Sequence, residues 1–358
     1  MKTPNVIFNG VGSYIPTNIV DNTDFLNHSF LQENGEPFDV PNEVIIKKFE
    51  KITGIKQRRY ADNDQLNSDL GFRAAEKALE NSSIDKEELD YIIYAHNFGD
   101  IEHETNRIDN MPSLAAKVKN KLQIKNPDVV CYDLLFGCPG WVQGVIQAYQ
   151  MIRSGFCRNI MVIGGETLSR CVDPHDRDSM IFSDGAGATI VSASYDDDRK
   201  GILGFANRTD ANEELDYLAM GPSYNTDLPK DARYIKMKGR KIYEYALDEV
   251  AAGIQVALKR SGIFLENIKK VLIHQANEKM DAAILRKLGQ LYNIPLSAEE
   301  MMPMTIQEYG NNSVATVPVM LDRLLRGDLD NHSVKEHDDI VLASVGAGMH
   351  INAIVYRI

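Results

Sequence analysis

Of the four cysteines in the chain, Cys138 has a setting that could make it a nucleophile. It follows the run Asp133-Leu-Leu-Phe-Gly137 and directly precedes Pro139, Gly140 and Trp141. Proline is favoured at the first helical position, where its missing N–H leaves nothing unpaired, so the pattern predicts a helix with Cys138 as its N-cap. A thiol there meets the positive end of the helix dipole and several N–H donors, which favour the thiolate. Cys131, Cys157 and Cys171 lack such a setting and read as buried structural thiols.

Two polar motifs in the second half could act with that thiol. His274-Gln-Ala-Asn277 follows a short apolar run, at the strand end where α/β sheets bind ligands, and an imidazole there can donate to a carbonyl oxygen. Gly310-Asn311-Asn312-Ser313 opens an apolar helical pattern, and Asn311 suits an N-cap as well as a donor. Asp173, His175, Asp176 and Asp178 crowd together, but their spacing around Pro174 fits a polar loop better than a metal site. The glycines at 185, 187, 346 and 348 match no phosphate-binding loop. Neither a metal nor a cofactor is expected.

The elements that must position these residues repeat. Ala78 and Leu79 lead, thirteen residues on, into the strand-like Ile92-Ile93-Tyr94, and Ala257 and Leu258 lead by the same step into Val271-Leu272-Ile273. Gly137 and Cys138 open an apolar helical run ending at Gly155, and Gly310 and Asn311 open another ending at Gly327. Each run feeds a β-branched strand pattern, at residues 159–164 and 339–345. Such alternation predicts helices packed on mostly parallel sheets in two similar halves, joined near the acidic turn Asp196-Asp197-Asp198. A polar stretch between Asp210 and Arg233 reads as a long ordered excursion.

Composition bounds the function. With 51 acidic against 39 basic residues the net charge is −12, which argues against a nucleic-acid binder. No apolar tract reaches the roughly 20 residues of a membrane span. The absence of a signal-peptide pattern and of Cys-x-x-Cys pairs points to free thiols in a reducing cytoplasm.

Taken in order, Cys138, the motifs from His274 and Gly310, and Gly346-Ala347-Gly348 resemble the beta-ketoacyl-acyl-carrier-protein synthase III family of the thiolase superfamily. Gly10-Val-Gly-Ser-Tyr-Ile-Pro16, Thr53-Gly54-Ile55, Asp173-Pro-His-Asp-Arg177 and Asp184-Gly-Ala-Gly187 extend the resemblance over nearly the whole chain. It implies an α/β, thiolase-like five-layered α-β-α-β-α fold of two duplicated halves, residues 1–195 and 196–358. It also implies a homodimer, with elements following Cys138 between the subunits. The implied reaction moves an acyl group from a thioester donor, coenzyme A or carrier-bound, to Cys138, then condenses it with malonyl acyl carrier protein, as in fatty acid initiation.

By the same resemblance, the backbone N–H groups of Cys138 and Ala347 form the oxyanion hole, His274 and Asn311 stabilise the enolate, and Asn277 lies near the pantetheine arm. Lys279, Arg286 and Lys287, on a helix after that motif, correspond to carrier-docking positions. The chain departs from the family's pattern at Pro139 and Trp141, over residues 27–41, and at Lys48 and Ile52, where the family carries the tryptophan and arginine that grip coenzyme A. Those departures suit a relative in secondary metabolism with an unusual acyl donor. A Cys-His-Asn thioester hydrolase would use the same residue types.

Overall fold

β-Branched runs and amphipathic stretches alternate along the chain, and they resolve into two main sheets with helices between and outside them. The computed structural model describes residues 3–105, 107–196 and 198–358; Asp197, in the expected acidic turn, lies outside the described residues. In the first half β1 (Asn5–Tyr14), β2 (Tyr91–His96), β3 (Val130–Leu135), β4 (Asn159–Thr167) and β5 (Asp184–Ser194) form one sheet in the order β1-β5-β4-β2-β3. In the second half come β6 (Gly201–Thr209), a hairpin of β7 (Leu218–Gly221) and β8 (Tyr234–Met237), and then β9 (Ile268–Ile273), β10 (Asp339–Gly346) and β11 (His350–Arg357). The second sheet runs β6-β11-β10-β9.

The longer helices are α1 (Asn42–Thr53), α2 (Asn67–Glu80), α3 (Leu114–Lys121), α4 (Gly140–Arg153), α5 (Gly239–Ser261), α6 (Glu278–Tyr292) and α7 (Thr316–Arg326). Three apolar clusters hold five layers together. Leu70, Ala74 and Leu114 of α2 and α3 pack on Ile92 and Ile163 of the first sheet. Trp141, Val145, Met320 and Leu321 of α4 and α7 fill the space between the sheets, against Ile93 on one side and Leu272 and Ile354 on the other. Ile254, Leu258, Ile284 and Leu285 of α5 and α6 cover the far face of the second sheet. Fully burying an aliphatic or aromatic side chain of this kind contributes about 1.5–3 kcal/mol, so the shared middle layer binds the halves to each other.

The internal repeat is visible in the topology: α2 then β2 matches α5 then β9, and α4 then β4 matches α7 then β10. Among the described residues the second sheet lacks a counterpart of β3. The sheets are mixed rather than mostly parallel. β2 is parallel to both its neighbours and β9 is parallel to β10, whereas β5 and β11 are antiparallel to theirs. The cause lies in the connections. Only Ala347, Gly348 and Met349 separate β10 from β11, too short for a crossover, so the chain must return antiparallel.

Candidate active site

Cys138 lies in the turn from β3 into α4, and this turn depends on glycine. Gly137 has φ 70, and a Cβ there would come within 3.0 Å of the Ala347 backbone. A Cβ on Gly346 would come within 2.6 Å of the Cys138 nitrogen. Backbone from the two halves therefore meets at Cys138 with no room for a side chain between. The helix itself starts at Gly140 with Pro139 in the cap position, so Cys138, expected to be the N-cap, stands one residue ahead of it. The thiol is not acidified as anticipated either. Burial pushes its pKa up to about 11, because a thiolate would lose hydration in this narrow site; hydrogen bonds from the Ser313 hydroxyl and from its own backbone pull the other way.

His274 follows β9 directly, its N–H bonded to Ala343 O at 2.9 Å and its side chain buried. Burial lowers its pKa to about 4, against an opposing hydrogen bond to the Ser313 backbone, so the ring is neutral at neutral pH. Nδ1 lies 3.2 Å from Thr316 Oγ1, and that hydroxyl lies 2.8 Å from Asn312 Oδ1. Thr316 has one proton. Turned to Asn312, it leaves Nδ1 protonated; turned to Nδ1, it leaves Nε2 protonated.

Asn311 is not the N-cap expected of it, since α7 begins five residues later, after a 3₁₀ turn at Ser313–Ala315. Its backbone instead bonds to the first half, from its N–H to Ile181 O and from Ser183 N–H to its own O, both at 2.9 Å. Its Oδ1 accepts from Ser313 N–H at 2.8 Å, which leaves the amide nitrogen as the end that can donate.

Ser313 is the point on which the three residues converge. It holds a left-handed φ of 49, uncommon for a side-chain-bearing residue and frequent at functional sites. Its hydroxyl donates to Cys138 Sγ at 3.2 Å, its N–H donates to Asn311, and its backbone contacts His274. Ala347 and Ser313 line one cavity with Cys138.

These features agree with the likeness to known proteins. The model of the family 3-oxoacyl-[acyl-carrier-protein] synthase III matches residues 132–211, and that of its C-terminal part matches residues 258–358. The beta-ketoacyl-[acyl-carrier-protein] synthase III of Ehrlichia canis is 32% identical over 98% of both chains. The chain belongs to the beta-ketoacyl-acyl-carrier-protein synthase III family. The relative of the same name from Prochlorococcus marinus is 33% identical over 98% of this chain and 96% of its own. The crystal structure of the Aquifex aeolicus 3-oxoacyl-[acyl-carrier-protein] synthase III superposes with a TM-score of 0.79 at 29% identity, covering 99% and 100% of the two chains. The protein is thus a condensing acyltransferase of the family, on the five-layered thiolase fold.

Within that family framework, the surroundings of the thiol include parts the sequence left undescribed. The cavity beside Cys138 is about 180 Å³ and is walled by Phe98, Leu168, Phe182, Leu218, Met220 and Ile235. Three of these sit on the β7–β8 hairpin, which the sequence showed only as a polar excursion. The acidic loop anchors it: Asp173 accepts from Ser223 Oγ and Tyr224 N–H, both at 2.8 Å, and from Lys236 Nζ at 2.6 Å. Asn97 and Glu166, close to the thiol, were also missed, although a charge directly after the apolar run at residues 160–165 was a usable signal.

A second cavity of about 310 Å³ is lined by Lys48 and Ile52 of α1 together with Arg177, Arg240, Tyr243 and Asn277. Asn277 caps α6, its Oδ1 accepting from Lys279 N–H at 3.0 Å and Met280 N–H at 3.1 Å. On α6, Lys279 and Arg286 are exposed, whereas Lys287 pairs with Asp248 of α5 at 2.6 Å.

Proposed function

We propose that the chain carries out acyl transfer to Cys138 followed by decarboxylative condensation with malonyl acyl carrier protein, initiating fatty acid synthesis. The observation that carries this reading is the convergence of Cys138, neutral His274 and Asn311 on Ser313. The Cys138 sulfur attacks the donor thioester carbonyl, the donor's C–S bond breaks, and the donor leaves as its thiol. Backbone N–H groups of Cys138 and Ala347 meet the oxyanion. His274 Nε2–H and the Asn311 amide then hold the malonyl thioester carbonyl. The malonyl C–CO₂ bond breaks, its electrons form the enolate, a C–C bond forms to the acyl carbon, and Cys138 departs as thiolate. This role requires Thr316 to turn its proton to His274 Nδ1 and the Asn312 amide to turn its NH₂ to Thr316 Oγ1 in place of the oxygen that accepts there.

The apolar cavity at Cys138 takes the acyl chain, and the cavity holding Asn277 takes the pantetheine arm. Lys48, Arg177 and Arg240 there suit a phosphate from either coenzyme A or a carrier, while Lys279 and Arg286 steer an acidic carrier. Homodimer formation fits β3, a sheet edge whose Val130 and Leu135 are 47% and 66% exposed. Of the elements that follow Cys138, α4 is filled into the middle layer, so we take the β3 edge, just before Cys138, as the subunit contact. Among the described residues no helix is long and apolar enough to cross a membrane, and we assign the reaction to the cytoplasm.

A thioester hydrolase is the competing reading, favoured by the Thr316 proton turning to Asn312, which leaves Nε2 as an acceptor for water. Intact mass spectrometry after a panel of acyl thioesters, followed by malonyl carrier protein, tests both. The condensing enzyme holds an acyl adduct on Cys138 and releases it as a β-ketoacyl thioester with carbon dioxide. Release of the adduct as free acid before malonyl carrier protein is added would overturn the proposal.

A further inference from the structure

The hydrogen bonds behind Ser313 run in one direction. Asn97 N–H donates to Glu166 Oε1 at 2.7 Å, and with the proton that burial keeps on this carboxyl carried by Oε2, Oε1 acts only as an acceptor. The end of the Asn97 side chain that also faces Oε1 must therefore be its NH₂, and the bond is present. The same Nδ2 lies 3.1 Å from Ser313 Oγ. An amide nitrogen has two protons to give and accepts none, so Ser313 Oγ receives from Asn97. Its own single proton is then left for Cys138 Sγ, 3.2 Å away.

We propose that Asn97, held by Glu166, is a positioning residue that fixes the Ser313 hydroxyl as a hydrogen-bond donor to the Cys138 thiolate. Charge-assisted donors of this kind are the strong ones. This supplies what the helix start does not: a directed proton aimed at sulfur in a place where desolvation favours the thiol. The inference rests on Cys138 being the nucleophile. The titratable groups around the arrangement are His274, which contacts the Ser313 backbone, Glu166 itself, and Asp184, Cys171 and Tyr94, which face Glu166.

The test is the pH dependence of Cys138 alkylation by iodoacetamide, mapped by peptide mass spectrometry, in Ser313→Ala, Asn97→Leu and the double variant. At pH 7 Ser313→Ala should alkylate about tenfold more slowly, the loss expected for a hydrogen bond to a charged group. Asn97→Leu should lose about threefold or more and shift the profile to higher pH. Because Asn97 acts through Ser313, the double variant should be no slower than Ser313→Ala alone. A further loss in the double variant, or an unmoved profile in Asn97→Leu, would overturn the proposal. Should Asn97→Leu fail to fold, Glu166→Gln keeps the acceptor oxygen and must not shift the profile upward, whereas Glu166→Ala must. An unmoved profile with Cys138 still acylated by a thioester condemns the positioning role alone; an acyl adduct that survives Cys138→Ala condemns the nucleophile.

Discussion

At the scale of single residues the chemistry divides between the two halves of the chain, and each division can be tested. Cys138→Ala should abolish the acyl adduct in intact mass spectra, while alanine at Cys131, Cys157 or Cys171 should leave it. His274→Ala and Asn311→Ala should still acylate yet slow condensation by about 100-fold or more, the usual loss for an oxyanion donor, as read in single-turnover assays. If both lose acylation as completely as Cys138→Ala, the hydrolase couple is the better description. In the proposed reaction His274 also sets a pH limit. Its neutral form works and its pKa is lowered to about 4 by burial, so the acid loss of condensation governed by this residue should fall near pH 4, not near 6.5. Cys138, His274 and Asn311 were readable because each sits in a short motif beside a strand or helix boundary. Ser313 stood in one of those motifs without a visible role, and Asn97 and Glu166 in none, since their work depends on contacts between residues 69 and 216 positions apart.

At the scale of elements, the β7–β8 hairpin walls the cavity at the thiol, and its Ala219 is a place where volume can be added. Ala219→Phe should leave acylation by an acetyl thioester within about threefold of the parent and suppress acylation by a hexanoyl thioester by tenfold or more, compared by adduct formation rates. Equal effects on both donors would remove this cavity from acyl selection. Helix α6 offers a separate test. Asp281 is fully buried there, and neither carboxyl oxygen has a hydrogen-bond partner among the described residues, so burial holds its pKa well above the usual carboxylate value. The folded state keeps a proton that the unfolded chain releases above about pH 4, so stability falls as pH rises past that point. Asp281→Asn should match the parent at pH 4 and exceed it at pH 7.5 in urea unfolding. The pairing of helix with strand in each half followed from spacing alone. The hairpin did not, because its two strands are four residues each, in and just after a polar stretch whose order comes from Asp173 and Lys236. The antiparallel members of each sheet were hidden for a related reason: direction is set by connection geometry, which hydrophobic period does not encode.

For the whole molecule, the exposed edge at β3 predicts self-association. Light scattering at micromolar concentration should give about twice the 40.1 kDa of the chain, and Leu135→Lys should move it toward one. A monomeric parent with full activity would remove the edge from the argument. The contact of Gly137 with Ala347 bears on how the protein fails when heated. Each wall of the proposed oxyanion pocket travels with a different sheet, and the middle layer, with the Asn311 backbone bonds to Ile181 and Ser183, keeps them in register. The site therefore works as a gauge of the seam: a sub-ångström slip between the sheets parts the two N–H groups before either half melts. Residual acylation rate and the loss of the Trp141 environment, which lies in that seam, should trace a single curve against temperature, and an enzyme silenced while Trp141 stays buried would mean that the pocket has a hinge of its own.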